Sequence, residues 1–235
     1  MRAETCLEKE NDIMQSAANQ VVTIDGKRVL YLREKMIELD RCPVLYDKPF
    51  TAQSLREDFE AASGKWFADD EHWLTGEIRE DAGGMLYSRA SYDCDMIFEF
   101  DAETVGGCSN DLNFVWKTCG WDAEKHDAGR GYIGGLGGWW LNKAGIEKYP
   151  ECIPFAATPL YPLEAGKPYH IIAGSIDGHC FIFANGELLL EMIDSAPETL
   201  ADCGRFGLGT YASCIRYRNL KVYRAQASGC ALKYL

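Results

Sequence analysis

Residues 171–193 read IIAGSIDGHCFIFANGELLLEMI, and the dipeptides Asp177-Gly178 and Asn185-Gly186 cut this stretch into three apolar runs of similar length. Asp-Gly and Asn-Gly are favoured in two-residue hairpin loops, because both central residues of a type I′ turn take positive φ. Asn and Asp tolerate that conformation, and Gly adopts it without a Cβ clash. The stretch predicts a three-stranded antiparallel meander. In its middle strand Phe181 and Phe183 point one way, and Cys180, Ile182 and Ala184 the other. Both faces are apolar, whereas a sheet with one wet face alternates more cleanly. One face should therefore pack on a second sheet, and the other should lie under loops or a cleft.

Short strands with turn signals recur on both sides of the meander. VVTIDGKRVLYL (21–32) repeats the hairpin signal at Asp25-Gly26, and PVLYDKPF (43–50) reads as a strand. GKWFADDEHWLTGEI (64–78) reads as a hairpin about the acidic corner Asp69-Asp70-Glu71. GGMLYSRASY (83–92), CDMIFEFDAETV (94–105) and DLNFVWKT (111–118) are further strands, and GRFGLGTYASCIRYRNLKVYR (204–224) supplies two more. A weak helix is expected within residues 1–20, and a short one in REKMIELDR (33–41), stopped by Pro43. Residues 119–168 are rich in Gly, Trp, Tyr and Pro and offer no clear strand pattern. The whole reads as an all-β sandwich or jelly roll.

Composition narrows the function classes. The chain has 235 residues, 47% of them hydrophobic, enough for a sizeable core. With 24 Lys and Arg against 36 Asp and Glu, its net charge is −12, which argues against nucleic acid and against an anionic membrane surface. The first residues, MRAETCLEKENDIMQ, lack the apolar run of a signal peptide, and no stretch has the length of a membrane-spanning helix. A cytoplasmic protein is expected. The 10 cysteines include no Cys-x-x-Cys pair, so reduced, mostly buried thiols are the expectation, with a secreted, disulfide-stapled chain as the alternative. The four histidines, His72, His126, His170 and His179, lack metal-ligand spacing with one another, and no metal or cofactor is called for.

Three segments in order resemble the concanavalin A-like jelly-roll superfamily: YDCDMIFEFDAETVGGCSNDLNFVWKT (92–118), HCFIFANGELLLEMID (179–194) and GRFGLGTYASCIRYRNLKVYR (204–224). Within it the chain looks most like the YesU-like family of small cytoplasmic bacterial proteins linked with pectin and rhamnogalacturonan use. A weaker likeness is to 3-keto-disaccharide hydrolase-like domains. The resemblance spans residues 44–225 and implies a jelly-roll β-sandwich of two antiparallel sheets. Residues 1–42 are then an N-terminal extension with a hairpin, packed on a main domain of residues 43–235.

Candidate chemistry starts with FEFDAE. Glu99, Asp101 and Glu103 share one strand face, opposite Phe98 and Phe100. The run resembles the Glu-x-Asp-x-Glu strand of lichenase and laminarinase glycosidases, which implies Glu99 as nucleophile, Asp101 as its tuning partner and Glu103 as acid/base. Retention needs the two working carboxyls about 5–5.5 Å apart, so both would have to lean inward over Asp101. The alternative is a solvated acidic strand face. His126, in WDAEKHDAGRG, is a further acid/base candidate because acids flank it on a loop, and a surface-loop histidine is its alternative.

GYIGGLGGWWLNK (131–143) sets glycines beside Tyr132, Trp139 and Trp140. Aromatic platforms suit the apolar faces of sugar rings, and one ring of the Trp pair is expected in the core. Trp116 shares parity with Leu112 and Phe114 and should be core, while Asn113 and Lys117 take the other face. Asp127 and Arg130 belong to the same predicted loop and complete the substrate-binding candidates. GRGYIG (129–134) matches Gly-x-Gly-x-x-Gly but lacks the preceding strand and following helix of a dinucleotide site, and is read as a glycine-rich loop.

The sequence thus predicts an intracellular carbohydrate-active protein, a glycosidase or lyase acting on small glycosides or plant-polysaccharide fragments. The alternative is a non-catalytic carbohydrate-binding or accessory subunit. A saccharide is the expected partner, with homo-oligomerisation left open.

Overall fold

The computed structural model describes residues 21–228 apart from 25, 34, 80, 81, 109, 140, 141, 200 and 201. Strands β1 (Val21–Ile24), β2 (Lys27–Tyr31) and β3 (Met36–Glu38) form a small antiparallel sheet, followed by a 3₁₀ turn at Leu39–Arg41. After β4 (Val44–Asp47) comes the helix α1 (Ala52–Asp58). Thr51 caps it: the Ser54 N–H donates to the Thr51 hydroxyl and the Thr51 N–H donates to the Ser54 hydroxyl. Then follow β5 (Phe59–Ser63), β6 (Lys65–Ala68), β7 (Leu74–Glu77), β8 (Gly83–Ser88), β9 (Met96–Thr104) and β10 (Leu112–Thr118). The middle of the chain holds β11 (Trp121–Asp122), β12 (Asp127–Ala128), β13 (Gly131–Gly138), β14 (Lys143–Tyr149) and β15 (Phe155–Thr158). The last strands are β16 (Tyr169–Ile176), β17 (His179–Ala184), β18 (Glu187–Ile193), β19 (Arg205–Tyr211) and β20 (Cys214–Arg224).

Two antiparallel sheets stack as a sandwich. The meander sheet runs β18-β17-β16-β9-β20-β7-β6, with β4 paired to the end of β20 that β7 leaves free. The glycine-rich sheet runs β15-β14-β13-β10-β19-β8-β5. The hairpins form where the dipeptides require them. Asp177 and Gly178 have φ of 50° and 76°, and Asn185 and Gly186 have 51° and 87°.

Alternation then sorts the side chains. Cys180, Ile182 and Ala184 join Phe98, Phe100, Phe114 and Trp116 in the core between the sheets. Across that core the Trp116 indole donates to the Ser175 hydroxyl at 3.0 Å, and the Tyr217 hydroxyl donates to the Gly209 carbonyl at 2.5 Å. Phe181 and Phe183 take the opposite face and pack with Leu30, Leu32, Ile37, Leu39, Ile97 and Ile172. The second apolar face of the meander thus lies under β2, β3 and the turn after them, rather than under loops or a cleft.

Three local expectations change. Where a helix was expected over 33–41, residues 36–41 form β3 and a 3₁₀ turn, because Ile37 and Leu39 are drawn onto that apolar face. GRGYIG does not end in a loop: Gly131–Gly138 is β13, paired with both β10 and β14. Two carbonyl-bonded neighbours override the weak strand propensity of glycine. Among the described cysteines Cys119 and Cys203 form a disulfide, which departs from the reduced expectation, while Cys42, Cys94, Cys108, Cys152, Cys180 and Cys214 are free. The weak helix expected within residues 1–20 falls outside the described residues. Among the described residues no helix is long and apolar enough to cross a membrane.

Phe183 is 1% exposed beneath the N-terminal sheet. Phe183→Ala should lower the unfolding free energy in urea by roughly 3–5 kcal/mol, as for a buried aromatic. A loss below about 0.5 kcal/mol, the surface range, would mean that this face is not packed.

Candidate functional site

The outer face of the glycine-rich sheet is set by the parity of its core face. On β10, Leu112, Phe114 and Trp116 point inward, so Asn113 and Val115 point outward. The register carries this alternation across the sheet: Asn113 stands beside Gly135 on β13 and Gly209 on β19, and Glu147 on β14 stands beside Ile133. The face is walled rather than flat. A cleft of about 480 Å³ lies over it, lined by Gly83, Met85, Asp111, Asn113, Asp127, Ile133, Trp139, Glu147, Tyr149, Cys152 and Tyr211. That volume suits a small ligand.

Two glycines make the seats of the principal side chains. A Cβ on Gly145 would stand 2.5 Å from Cδ2 of Trp139, so the indole lies directly against β14. A Cβ on Gly138 would stand 2.0 Å from Oδ1 of Asp111, so that carboxyl rests against β13. Asn113 is 8% exposed, and its buried Oδ1 has no hydrogen-bond donor among the described residues. The buried Trp139 indole N–H is close enough to Glu147 to favour its charged form, yet among the described residues it reaches hydrogen-bonding geometry with no acceptor. Such orphaned groups carry a desolvation cost that a ligand would relieve.

Two carboxyls of the cleft, Asp111 and Glu147, resist ionisation. Burial, reinforced by the charge of Glu147, raises the pKa of Asp111 to about 7. Burial also raises Glu147, the charge of Asp127 adds to this, and Trp139 and Cys152 pull the other way. Asp111 can therefore hold a proton near neutrality and give it up to a bound group.

The acidic strand of β9 lies on the other side of the sandwich. Glu99, Asp101 and Glu103 do share a face, but it is the outer face of the meander sheet, because Phe98, Phe100 and Ala102 fill the core. Glu99 pairs with Arg28, accepts from the Tyr223 hydroxyl at 2.6 Å and lies 3.3 Å from His170 Nε2. Burial opposes its ionisation, but the bonds from His170 and Tyr223 and the charge of Arg28 prevail and hold its pKa at about 2. Asp101 meets His170 Nδ1 at 2.8 Å and the Asn219 amide at 2.7 Å, and Arg216 donates to Glu103 at 2.6 Å. Glu99, so held, has no proton to give at neutral pH.

Of the other predicted residues, Trp139, Asn113 and Asp127 meet in the cleft. Tyr132 does not: it is 1% exposed, stacks on Trp116 at 5.4 Å and donates to Asp194 at 2.7 Å. Lys117 pairs with Asp95 at 3.0 Å, and Arg130 with Glu198 at 3.1 Å. His126 is exposed in the turn before β12, its Nδ1 2.7 Å from the Ala123 carbonyl. Trp140 lies outside the described residues. Asp111, Glu147, Tyr149 and Tyr211 were missed. The signal for two of them was present: Gly145, Glu147 and Tyr149 alternate along KAGIEKY (143–149), but this segment did not read as a strand.

No family model and no curated protein matches the chain. Among solved structures, a protein of unknown function with a galectin-like fold from Bacillus subtilis superposes with a TM-score of 0.59 at 15% identity, covering 78% of this chain and 96% of that one. A carbohydrate-binding module from Bacillus subtilis gives a TM-score of 0.53 at 18% identity, with 71% and 95% covered. A β-glucanase from Bacillus licheniformis gives 0.52 at 9% identity, with 79% and 100% covered. The fold is that of the concanavalin A-like lectins and glucanases.

The two acidic sites should respond to pH with opposite signs. Asp111 has a folded pKa of about 7, above its ordinary 3.8, so it subtracts stability as pH rises through that window and no further above it. Asp111→Asn should raise the melting temperature at pH 8 and leave it nearly unchanged at pH 4. Glu99, with its folded pKa of about 2 below the ordinary 4.5, contributes stability above that ordinary value that is lost as pH falls through about 2. Glu99→Gln should therefore lower the melting temperature at pH 7, and the difference should shrink in acid. The same sign of pH dependence in both variants would overturn the assignment of these two environments.

Proposed function

We propose that the cleft over the glycine-rich sheet is a saccharide site and that the protein is a glycoside hydrolase acting on small glycosides or plant-polysaccharide fragments. The observation that carries this reading is Asp111, a carboxyl that titrates near neutrality beside Glu147 in a cleft walled by aromatic rings. In this reading Trp139, Tyr149 and Tyr211 offer their rings to the apolar faces of a sugar, and Asn113 Oδ1 accepts from a hydroxyl. Asp111 protonates the glycosidic oxygen as the bond to the anomeric carbon breaks. Glu147, ionised once Asp111 holds the proton, attacks that carbon or activates a water against it. Hydrolysis fits the lining better than elimination. A lyase acts beside a sugar carboxylate whose charge must be neutralised, and the lining residues include no Lys, Arg or His. The finer likeness to the YesU-like proteins enters as part of the same proposal and rests on the strand motifs of residues 92–118, 179–194 and 204–224.

One observation favours a binding-only protein. Burial moves Asp111 and Glu147 in the same direction, whereas acid and nucleophile need pKa values pushed apart.

A panel of aryl glycosides and oligosaccharides, assayed for binding and for release of reducing sugar, tests the reading. Asp111→Asn should cut turnover of a responsive neutral glycoside by about 10²–10⁴-fold, the usual worth of a general acid, with affinity for it little changed. Trp139→Ala should weaken binding by about 1 kcal/mol, the usual worth of one aromatic stack. Binding without turnover across the panel would select the non-catalytic reading, and the absence of saccharide binding would remove both.

A further inference from the structure

We propose that the ligand of the cleft carries a protonated amine, as an amino sugar does, and that the carboxyls of Asp111 and Glu147 receive it. This rests on the reading of the cleft as a saccharide site and narrows it to a substrate class.

The first argument is charge. Asp111, Asp127 and Glu147 line the cleft, and among the described residues no cationic side chain lines it with them. The neighbouring cations are engaged elsewhere: Lys148 pairs with Asp194 at 2.8 Å and Arg130 with Glu198 at 3.1 Å. Lys143 lies farther along the outward row of β14 and does not line the cleft. Asp111 and Glu147 repel each other, and each resists ionisation in consequence of burial and neighbouring negative charge. A cation between them reverses both effects, while an anionic sugar adds to the repulsion.

An independent observation gives the same polarity. Asn113 is 92% buried and projects from the cleft floor, and among the described residues its Oδ1 has no donor. This orphan is an acceptor, as are the ionised carboxyls around it, while the orphaned donor of the cleft, the Trp139 indole N–H, lies beside Glu147. An ammonium group offers three donors and no acceptor, which complements Asn113 and the carboxyls. The rings of Trp139, Tyr149 and Tyr211 add faces that attract a cation as well as a sugar ring. A neutral hexose would satisfy Asn113 but would leave the two carboxyls repelling.

Calorimetric titration of the full chain at pH 7 with the methyl glycosides of glucosamine, N-acetylglucosamine, glucose and glucuronic acid tests the inference. The glucosaminide should bind at least about tenfold more tightly than the glucoside, as a charge-assisted hydrogen bond allows. Acetylation keeps the nitrogen and removes its charge, and should abolish the preference. The glucuronide should bind most weakly. Glu147→Gln should bring glucosaminide and glucoside to within about threefold of each other, since one charge partner is gone. Asp111→Asn serves the same purpose should the Glu147 variant fail to fold. Equal affinities for the amine and neutral glycosides, or a preference for the glucuronide, with binding still weakened by Trp139→Ala, would overturn the amine assignment and leave the saccharide site standing. Failure of all four ligands to bind would overturn both.

Discussion

The stacked rings of Phe114, Trp116 and Tyr132 fix the parity of the glycine-rich sheet. Centroids 5.8 Å and 5.4 Å apart place the three rings in one layer of the core. Side chains on a strand alternate with a period of two, so burying these rings forces Asn113 and Val115 on β10, and Ile133 and Gly135 on β13, to the outer face. A slip of one residue would turn Asn113 and Lys117 into the core between the sheets and the rings out of it. The Trp116–Ser175 and Tyr217–Gly209 hydrogen bonds hold that choice across both sheets. The cleft is thus a consequence of the core, and its floor is the row of residues the core does not take.

The two outer faces of the sandwich have opposite fates. On the meander sheet the N-terminal strands cover Phe181 and Phe183, and Arg28 from β2 pairs with Glu99 beside them. Farther along, Arg216 and Arg218 stack on Trp73 at 4.3 Å each and meet Glu103 and Asp101. Every carboxylate of the β9 row has a cationic partner. On the glycine-rich sheet small residues leave space instead, and among the described residues that line the cleft the carboxyls have no cationic partner. The same chemical group is driven to a pKa of about 2 in one place and about 7 in the other. Partners, more than burial, make the difference, since both groups are desolvated.

The hairpins, the alternation of β9, β10 and β17, and the closing strands β19 and β20 were legible because turn chemistry and period-two patterning are local. Trp116 in the core, and Asn113 on the opposite face, followed from the same parity. The segment from 119 to 168 was not legible. Gly134, Gly135, Gly137 and Gly138 have no side chains to show a period, so β13 left no pattern, and β14 went with it. Glu147 and Tyr149 were lost for that reason, although they alternate with Gly145. Asp111 was lost because its neighbour across the cleft is 36 residues away, a distance that only the β10–β13–β14 pairing closes.

The sequence by itself determined that this chain is a β-sandwich, where its hairpins turn, and which residues of each well-patterned strand share a face. Those are properties of consecutive residues and of backbone sterics. Tertiary structure alone decided which shared face is covered and which is open. Glu99, Asp101 and Glu103 show the limit: their spacing guaranteed a common face, but Arg28, Arg216 and His170, from distant strands, decided that the face would be neutralised by ion pairs. A carboxyl's proton affinity depends on the charges and solvent within a few ångströms of it, and those neighbours are set by sheet order, which the local pattern does not encode.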